Sequence, residues 1–344
     1  MSIYRLVRPL IFTLDAERAH KLSLVALRLK PFSPISEPFD PILATRVAGL
    51  DFPSPIGLAA GYDKDAVAPD QLLGLGFGFV EVGTLTPLPQ AGNPTPRLFR
   101  LVEDRAVINR MGFNNGGQAD AHARLSRRKR RGIVGVNIGA NKDATDRIAD
   151  YVAGATAMAD VADYLTINIS SPNTPGLRAL QDKGALEELL ARTLAARGTN
   201  EVPVFLKVAP DLEPADIDDI AKVAIDQKID ALIVSNTTIS RPTLASRHAR
   251  ETGGLSGAPL RDLALQRLRD FRKATGASLP LIGAGGIASA EDAYARIRAG
   301  ANLVQLYSAL VYEGPGLARR IADDLAELLE RDGFSNVAQA VGSG

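Results

Sequence analysis

The feature that most constrains this chain is a series of eight short apolar runs, most of them separated by a helical pattern. The runs are PIGLAA (55–60), GFVEVG (78–83), IVGVNIG (133–139), YLTINIS (164–170), VPVFLKV (202–208), ALIVS (231–235), LPLIGAG (279–285) and LVQLYS (303–308). They are too short for buried helices and rich in β-branched residues, so they read as strands buried on both faces. Helical patterns lie between most of them, as in GALEELLARTLAAR, EPADIDDIAKVAIDQ and SAEDAYARIRAG, the last opening on Ser289 as an N-cap. Strands alternating with helices predict a parallel sheet. Closed on itself, such a sheet is a (β/α)8 barrel, and 344 residues accommodate one. A doubly wound open sheet is the rival. No short-period repeat or low-complexity tract interrupts the series.

In a barrel the active site lies at the C-terminal ends of the strands. Those ends carry the unusual polar residues of this chain: Lys64, Thr84, Asn137, Asn168, Lys207 and Ser235-Asn236-Thr237. Strand seven ends in GAGGI (283–287), and strand eight runs into Tyr307-Ser308 at the start of a helical segment. Glycine turns and helix N-termini in these two loops predict a phosphate site. GLGFGF (74–79) precedes a strand instead of following one, so it is not a dinucleotide loop. Lys207 lies inside an apolar strand, where an unpaired ammonium is costly. Two uses fit it: stabilising the charge on a reduced flavin, or forming an imine as in a lyase. The second belongs to a different enzyme class, a phosphate-binding barrel lyase or isomerase.

The N-terminal arm is distinct. Leu6, Val7, Leu10, Ile11 and Leu14 recur at helical spacing around Arg5 and Arg8, with Pro9 starting or kinking the helix. A second helix is predicted over 16–29 with Asp15 as its N-cap, and the Pro-rich stretch KPFSPISEPFDP then marks a boundary near residue 40. The arm therefore reads as residues 1–40, followed by a barrel over 41–344. It is either a hairpin packed on the barrel or an amphipathic module lying on a membrane surface. The net charge of +1 gives no reason to expect nucleic acid, and the lack of cysteine removes thiolate chemistry and Cys-ligated metals. Three histidines, His20, His122 and His248, argue against a His-rich metal site, so none is expected. Two charged stretches receive ordinary readings: SRRKRR (126–131) closes a helix, and DLEPADIDD (211–219) opens one without EF-hand spacing.

Beyond these features, ordered motifs cover nearly the whole chain: GLAAGYDKD (57–65), EVGTLTPLPQAGNPTPRLFR (81–100), INRMGFNN (108–115), GVNIGANK (135–142), INISSPNTPGLR (167–178), LKVAPD (206–211), VSNTTISRP (234–242), GGLSGAPLRDLA (253–264), IGAGGI (282–287) and LVQLYSAL (303–310). In this series the chain resembles the class 2 dihydroorotate dehydrogenases, the membrane-associated, quinone-reducing kind. The resemblance implies an FMN-containing (β/α)8 barrel that oxidises dihydroorotate to orotate in pyrimidine biosynthesis and passes the electrons to ubiquinone or menaquinone.

By matching motifs, Ser171 is the implied base, taking a proton from C5 of the substrate while hydride leaves C6 for the flavin. Thr174 and an ordered water beneath Phe113 would relay that proton. Class 1 enzymes carry cysteine at the Ser171 position, and this chain has none. Substrate would be held by Lys64, Asn109, Arg110, Met111, Gly112, Phe113, Asn168, Asn173, Asn236 and Thr237. FMN would be held by Ala60, Gly61, Tyr62, Asp63, Lys64, Thr84, Asn137, Asn168, Lys207, Ser235, Gly257, Gly286, Tyr307 and Ser308. Residues 1–30 would lie on lipid and open a quinone passage lined by His20, Arg100 and Tyr312, the last a guess from its position. A monomer is expected, held peripherally on the cytoplasmic face of a bacterial inner membrane.

Overall fold

The structure, a computed structural model, describes residues 3–31 and 37–344. Part of the Pro-rich connector, residues 32–36, lies outside the described residues. The chain begins with two helices, α1 (Ile3–Thr13) and α2 (Ala16–Leu29). Pro9 lies inside α1, and the Asp15 side chain caps α2 by accepting from Arg18 N. An antiparallel pair follows, β1 (Thr45–Val47) and β2 (Leu50–Phe52).

The next elements in chain order are β3 (Ile56–Leu58), α3 (Pro69–Leu73), β4 (Phe79–Leu85), β5 (Leu98–Leu101), β6 (Ala106–Asn109), α4 (Gln118–Ser126), β7 (Ile133–Ile138), α5 (Arg147–Met158) and β8 (Tyr164–Asn168). The chain continues through α6 (Lys183–Ala196), β9 (Val204–Val208), α7 (Pro214–Asp226), β10 (Ala231–Val234), β11 (Gly254–Gly257), α8 (Arg261–Thr275), β12 (Leu281–Ala284), α9 (Ala290–Arg298) and β13 (Leu303–Leu306). It ends with α10 (Leu310–Glu313), α11 (Leu317–Arg331) and α12 (Val337–Ala340).

Eight strands close into a parallel barrel in the order β3-β4-β7-β8-β9-β10-β12-β13, with β13 pairing back to β3. The open-sheet alternative is thereby excluded. These strands are the eight apolar runs, trimmed at their ends where the chain leaves the ladder. Strand alternation layers the interior. Phe79, Tyr164, Phe205 and Leu303 fill the bottom, and two residues further up each strand come Glu81, Thr166, Lys207 and Gln305. The bottom rings pack as a connected aromatic plug, with Phe52 of β2 edge-on to Phe79 at 5.1 Å and Tyr164 stacked on Phe205 at 4.4 Å. Gly135 makes room for that plug: a Cβ there would lie 2.0 Å from the Tyr164 ring. The outward side chains of the same strands join the helices in the main hydrophobic core.

Two antiparallel sheets have no counterpart in the sequence reading, the β1–β2 pair and a second one. β5, β6 and β11 form a three-stranded antiparallel sheet beside the mouth. It carries Asn109 at the end of β6 and Gly257 at the end of β11. SRRKRR does follow a helix: Arg128 meets Asp70 and Asp163, and Arg130 meets Asp163, behind the C-terminus of α4. The acidic stretch 211–219 divides. Glu213 and Asp216 form a capping box on α7. Asp211 instead gathers Arg178, Thr238, Ile239 N and Ser240 into one hydrogen-bonded knot. Among the described residues, no helix is long and apolar enough to cross a membrane.

Candidate active site

A single cavity of about 760 Å3 runs from the mouth of the barrel to the gap between α1 and α2. The barrel end is polar. Ala60, Gly61, Tyr62, Lys64, Thr84, Asn168, Ser171, Asn173, Lys207, Ser235, Asn236 and Thr237 line it, along with Asn109, Met111, Gly112 and Phe113 from the loop after β6. Gly257, Gly286, Tyr307 and Ser308 close one side. The arm end is mostly apolar, with Phe12, Ala19, Leu22 and Ala26 opposite His20, Arg100 and Tyr312.

Four predicted residues do not reach the cavity wall. Asp63 is fully buried, and its carboxylate accepts from the backbone N–H groups of Val67 and Ala68, so it shapes the loop after β3. Burial raises its pKa, against those two bonds. Asn137 stands one layer behind: its Oδ1 accepts from Thr84 and Asn168, and its Nδ2 donates to Glu81 at 2.8 Å. Arg110 turns outward to Glu251 at 2.7 Å and stacks on Phe99. Thr174 is buried in the loop after β8, and its carbonyl accepts from Leu177 N.

The polar floor is rigid because nearly every side chain in it is already committed. Asn168 donates to Thr84 (3.0 Å) and Asn137 (3.1 Å), and accepts from Ser170 at 2.8 Å. Ser170 in turn accepts from Asn236 at 2.9 Å. Asn173 Nδ2 donates to Asn109 at 3.2 Å, and its backbone N donates to Ser171 Oγ at 3.2 Å. Ser171 is 5 % exposed, and no histidine hydrogen-bonds it. His122 meets Asp160, and His248 stacks beside Phe99.

Glu81 is one of the residues that the sequence reading missed. It is fully buried at the centre of the barrel and accepts from Asn137, Tyr164, Thr166 and Gln305. It also supplies the negative charge near Lys207. Burial pushes the Lys207 ammonium down, and Glu81 pulls it back up. Lys207 is 5 % exposed and hydrogen-bonds no described residue, while Gln305 Oε1 is buried without a partner. A donor and an acceptor are therefore left unsatisfied on the barrel floor, which suits the edge of a flat heterocycle.

Beside them the loops 284–288 and 307–309 form a backbone cradle. Gly286 is required there: its φ is +71°, and a Cβ would lie 2.3 Å from Arg261 Cα. Ser308 and Ser256 share a 2.7 Å hydrogen bond on the same wall. At the polar end of the cavity, Lys64 donates to Gly61 O. Burial depresses its pKa to about 8, with Asp65 and Glu17 acting in the opposite direction.

On the arm side, His20 packs edge-on to Tyr62 at 5.1 Å and lies 6.4 Å from Tyr307. Burial, and then the charge of Lys64, lowers its pKa to about 3, so the ring is neutral. Arg100 donates to the closing carbonyls of α1, Ile11 at 3.4 Å and Leu14, and stacks on Phe12 at 4.7 Å. Tyr312 donates to Ala106 O at 2.6 Å while its ring meets Phe12 edge-on. Among the described residues, no group of three or more metal-ligating side chains gathers anywhere.

Residues 42–329 match the profile of the family described as dihydroorotate dehydrogenase. The chain is 62% identical to the dihydroorotate dehydrogenase (quinone) of Novosphingobium aromaticivorans, covering 100% of both chains. It is 64% identical to that of Sphingopyxis alaskensis, over 100% of this chain and 97% of the relative. Among solved structures it is similar to DHODH from Eimeria tenella in complex with ferulenol. The TM-score is 0.90 and the identity 42%, covering 96% of this chain and 95% of that one.

Proposed function

Since the chain belongs to the dihydroorotate dehydrogenase family, we propose that this cavity holds FMN between two chemically different sides, a polar side for dihydroorotate and an apolar side for quinone. As a quinone-dependent member, it oxidises dihydroorotate to orotate in pyrimidine biosynthesis with a quinone as electron acceptor. The observation that carries the two-sided reading is the polarity switch along one continuous space, from Asn109, Ser171 and Asn173 at one end to Phe12, Leu22 and Ala26 at the other.

The residues fit a flavin. Lys207 and Gln305 are the unsatisfied donor and acceptor for its heterocycle, Thr84, Asn168 and Ser235 border it, and the Gly286 and Tyr307-Ser308 loops would receive the phosphate of FMN. When bound, the flavin supplies a two-electron acceptor that takes a hydride equivalent from substrate and yields both electrons to quinone. Ala60, Gly61 and Tyr62 complete the wall of this pocket, whereas Asp63 and Asn137 support it from behind.

On the substrate side, Lys64 attracts the carboxylate, and the amides of Asn109, Asn168, Asn173 and Asn236 read the pyrimidine edge. Thr237, Met111 and Gly112 close around them, and Arg110 fixes the loop from outside. Ser171 Oγ takes the proton from C5. Its hydrogen bond from Asn173 N orients the lone pairs, and Phe113 and Thr174 shelter the outward path of that proton. Because Asn168 and Asn173 are held by their own hydrogen bonds, the floor does not reorganise as charge develops.

The arm, residues 1–40, acts as a unit that brings quinone to the flavin past His20, Arg100 and Tyr312. The exposed leucines of residues 1–30 support contact with lipid, and in this reading the enzyme sits peripherally on the cytoplasmic face of a bacterial inner membrane. The rest of the chain, 41–344, is the catalytic barrel, and one chain contains the whole site, as suits a monomer. The same Lys207 would serve the lyase reading, which requires a colourless protein that borohydride traps on its substrate.

An anaerobic visible spectrum tests the reading. Dihydroorotate is expected to bleach a yellow protein within seconds. Ser171→Ala is expected to retain FMN and to slow that bleaching by about 10²–10⁴-fold. Unchanged bleaching in the variant removes Ser171 as the base, and a yellow protein that dihydroorotate leaves yellow overturns the substrate.

A further inference from the structure

The arm and the substrate loop are joined by a buried ion pair that touches neither cofactor nor substrate. Glu17, in the first turn of α2, is 7 % exposed, and Arg97, just before β5, is 8 % exposed. The pair is bidentate: Arg97 Nε donates to Glu17 Oε2 at 2.9 Å, and Nη2 donates to Oε1 at 2.8 Å. The hydrogen bonds from Arg97 hold the Glu17 carboxyl down to about 2. Arg97 continues inward. Its Nη1 donates to Ala91 O at 2.6 Å and to Asn93 O at 2.8 Å, which fixes the turn 91–93. That turn is wedged in place, since a Cβ on Gly92 would lie 2.3 Å from Met111 O and 2.9 Å from Arg97 Nη1. Asn93 Nδ2 then donates to Arg110 O and to Asn173 O, both at 3.1 Å.

We propose that Glu17, through Arg97 and Asn93, is a positioning residue for dihydroorotate, so that the seating of the membrane-facing arm sets the pose of the Ser171–Asn173 loop on the opposite side of the cavity. This rests on the reading that Asn173 faces the substrate. A planar guanidinium held by a carboxylate on one side and two carbonyls on the other has one orientation. Removing the carboxylate leaves a buried cation that must turn or take up water. Either response moves Asn93 and, with it, the carbonyl of Asn173. Linkage makes the coupling reciprocal: substrate bound on the loop favours the seated arm.

The experiment uses the full-length flavin-loaded enzyme and measures each side of the cavity separately. Anaerobic stopped-flow with dihydroorotate gives its dissociation constant, and steady state with a short-chain soluble quinone gives KM for the acceptor. Glu17→Gln is expected to weaken dihydroorotate binding by about tenfold. Asn93→Ala, which leaves the ion pair intact, is expected to weaken it similarly without changing KM for quinone. The double variant is expected to be no worse than the weaker single one, because both cut the same connection. An effect of Glu17→Gln confined to quinone KM or to thermal stability means that the pair only fastens the arm, and overturns the proposal. Strictly additive losses in the double variant overturn it as well. Should Glu17→Gln fail to fold, Arg97→Lys paired with Asn93→Ala gives the same two readings. A wild-type flavin that dihydroorotate does not reduce would instead defeat the assigned reaction, a separate result.

Discussion

At the scale of single residues, charge is placed where the site needs it and neutralised elsewhere. Lys64 is the cation proposed to meet the substrate carboxylate, and burial has brought its pKa down to about 8. It is therefore mostly charged at pH 7 and loses its charge, and with it the proposed attraction for a carboxylate, as pH rises through about 8. Orotate titrated against the flavin spectrum is expected to bind progressively more weakly above pH 8. An affinity that stays flat to pH 10 would remove Lys64 from carboxylate binding. The candidate residues legible from sequence were those at strand ends, because barrels put function there. Glu81 was missed even though a signal existed: it lies two positions above Phe79 on β4, so strand alternation points it inward. Glu17 and Arg97 gave no such signal. They are 80 residues apart, and nothing local marks either as buried.

Among elements, the eight barrel strands were legible because each is a continuous apolar run bounded by turn residues. The three-stranded sheet was not, because its strands are short and two of them lie within motifs dominated by polar and glycine residues. β11 is four residues long and reads GLSG, and its partner β6 pairs with it across more than 140 residues. Only the tertiary neighbour makes such a segment a strand. Alternation also set the aromatic plug, which tolerates no extra volume. The Tyr164 ring occupies the space that a side chain on Gly135 would need. Gly135→Ala is expected to lower the free energy of unfolding by about 1–3 kcal/mol, read as an earlier urea midpoint. An unmoved midpoint would show that the ring does not depend on that space.

For the whole molecule, the arm is where sequence pattern left two readings open; the structure shows the hairpin packed on the barrel, and its exposed leucines are what the proposed contact with lipid rests on. The arm packs on the barrel through Arg97, Arg100 and Tyr62, yet Leu10 and Leu29 remain 74 % and 77 % exposed, with Leu6, Leu22 and Val25 beside them in exposure. The paired change Leu10→Glu and Leu29→Glu is expected to abolish co-sedimentation with anionic vesicles while leaving flavin bleaching by dihydroorotate intact. Retained co-sedimentation would mean that these leucines do not meet lipid. The seat of α1 carries a further consequence. Tyr4 donates to Val311 O and Arg8 to Tyr312 O, contacts spanning 307 and 304 residues. β3 likewise waits for β13 as its closing neighbour. During synthesis α1 is thus made about 300 residues before the Val311 and Tyr312 carbonyls that complete its seat. Until residues 303–313 are made, the barrel keeps one open seam and α1 lacks part of its seat, so closure of the barrel and completion of the arm's docking are tied by topology to the same late stretch of chain.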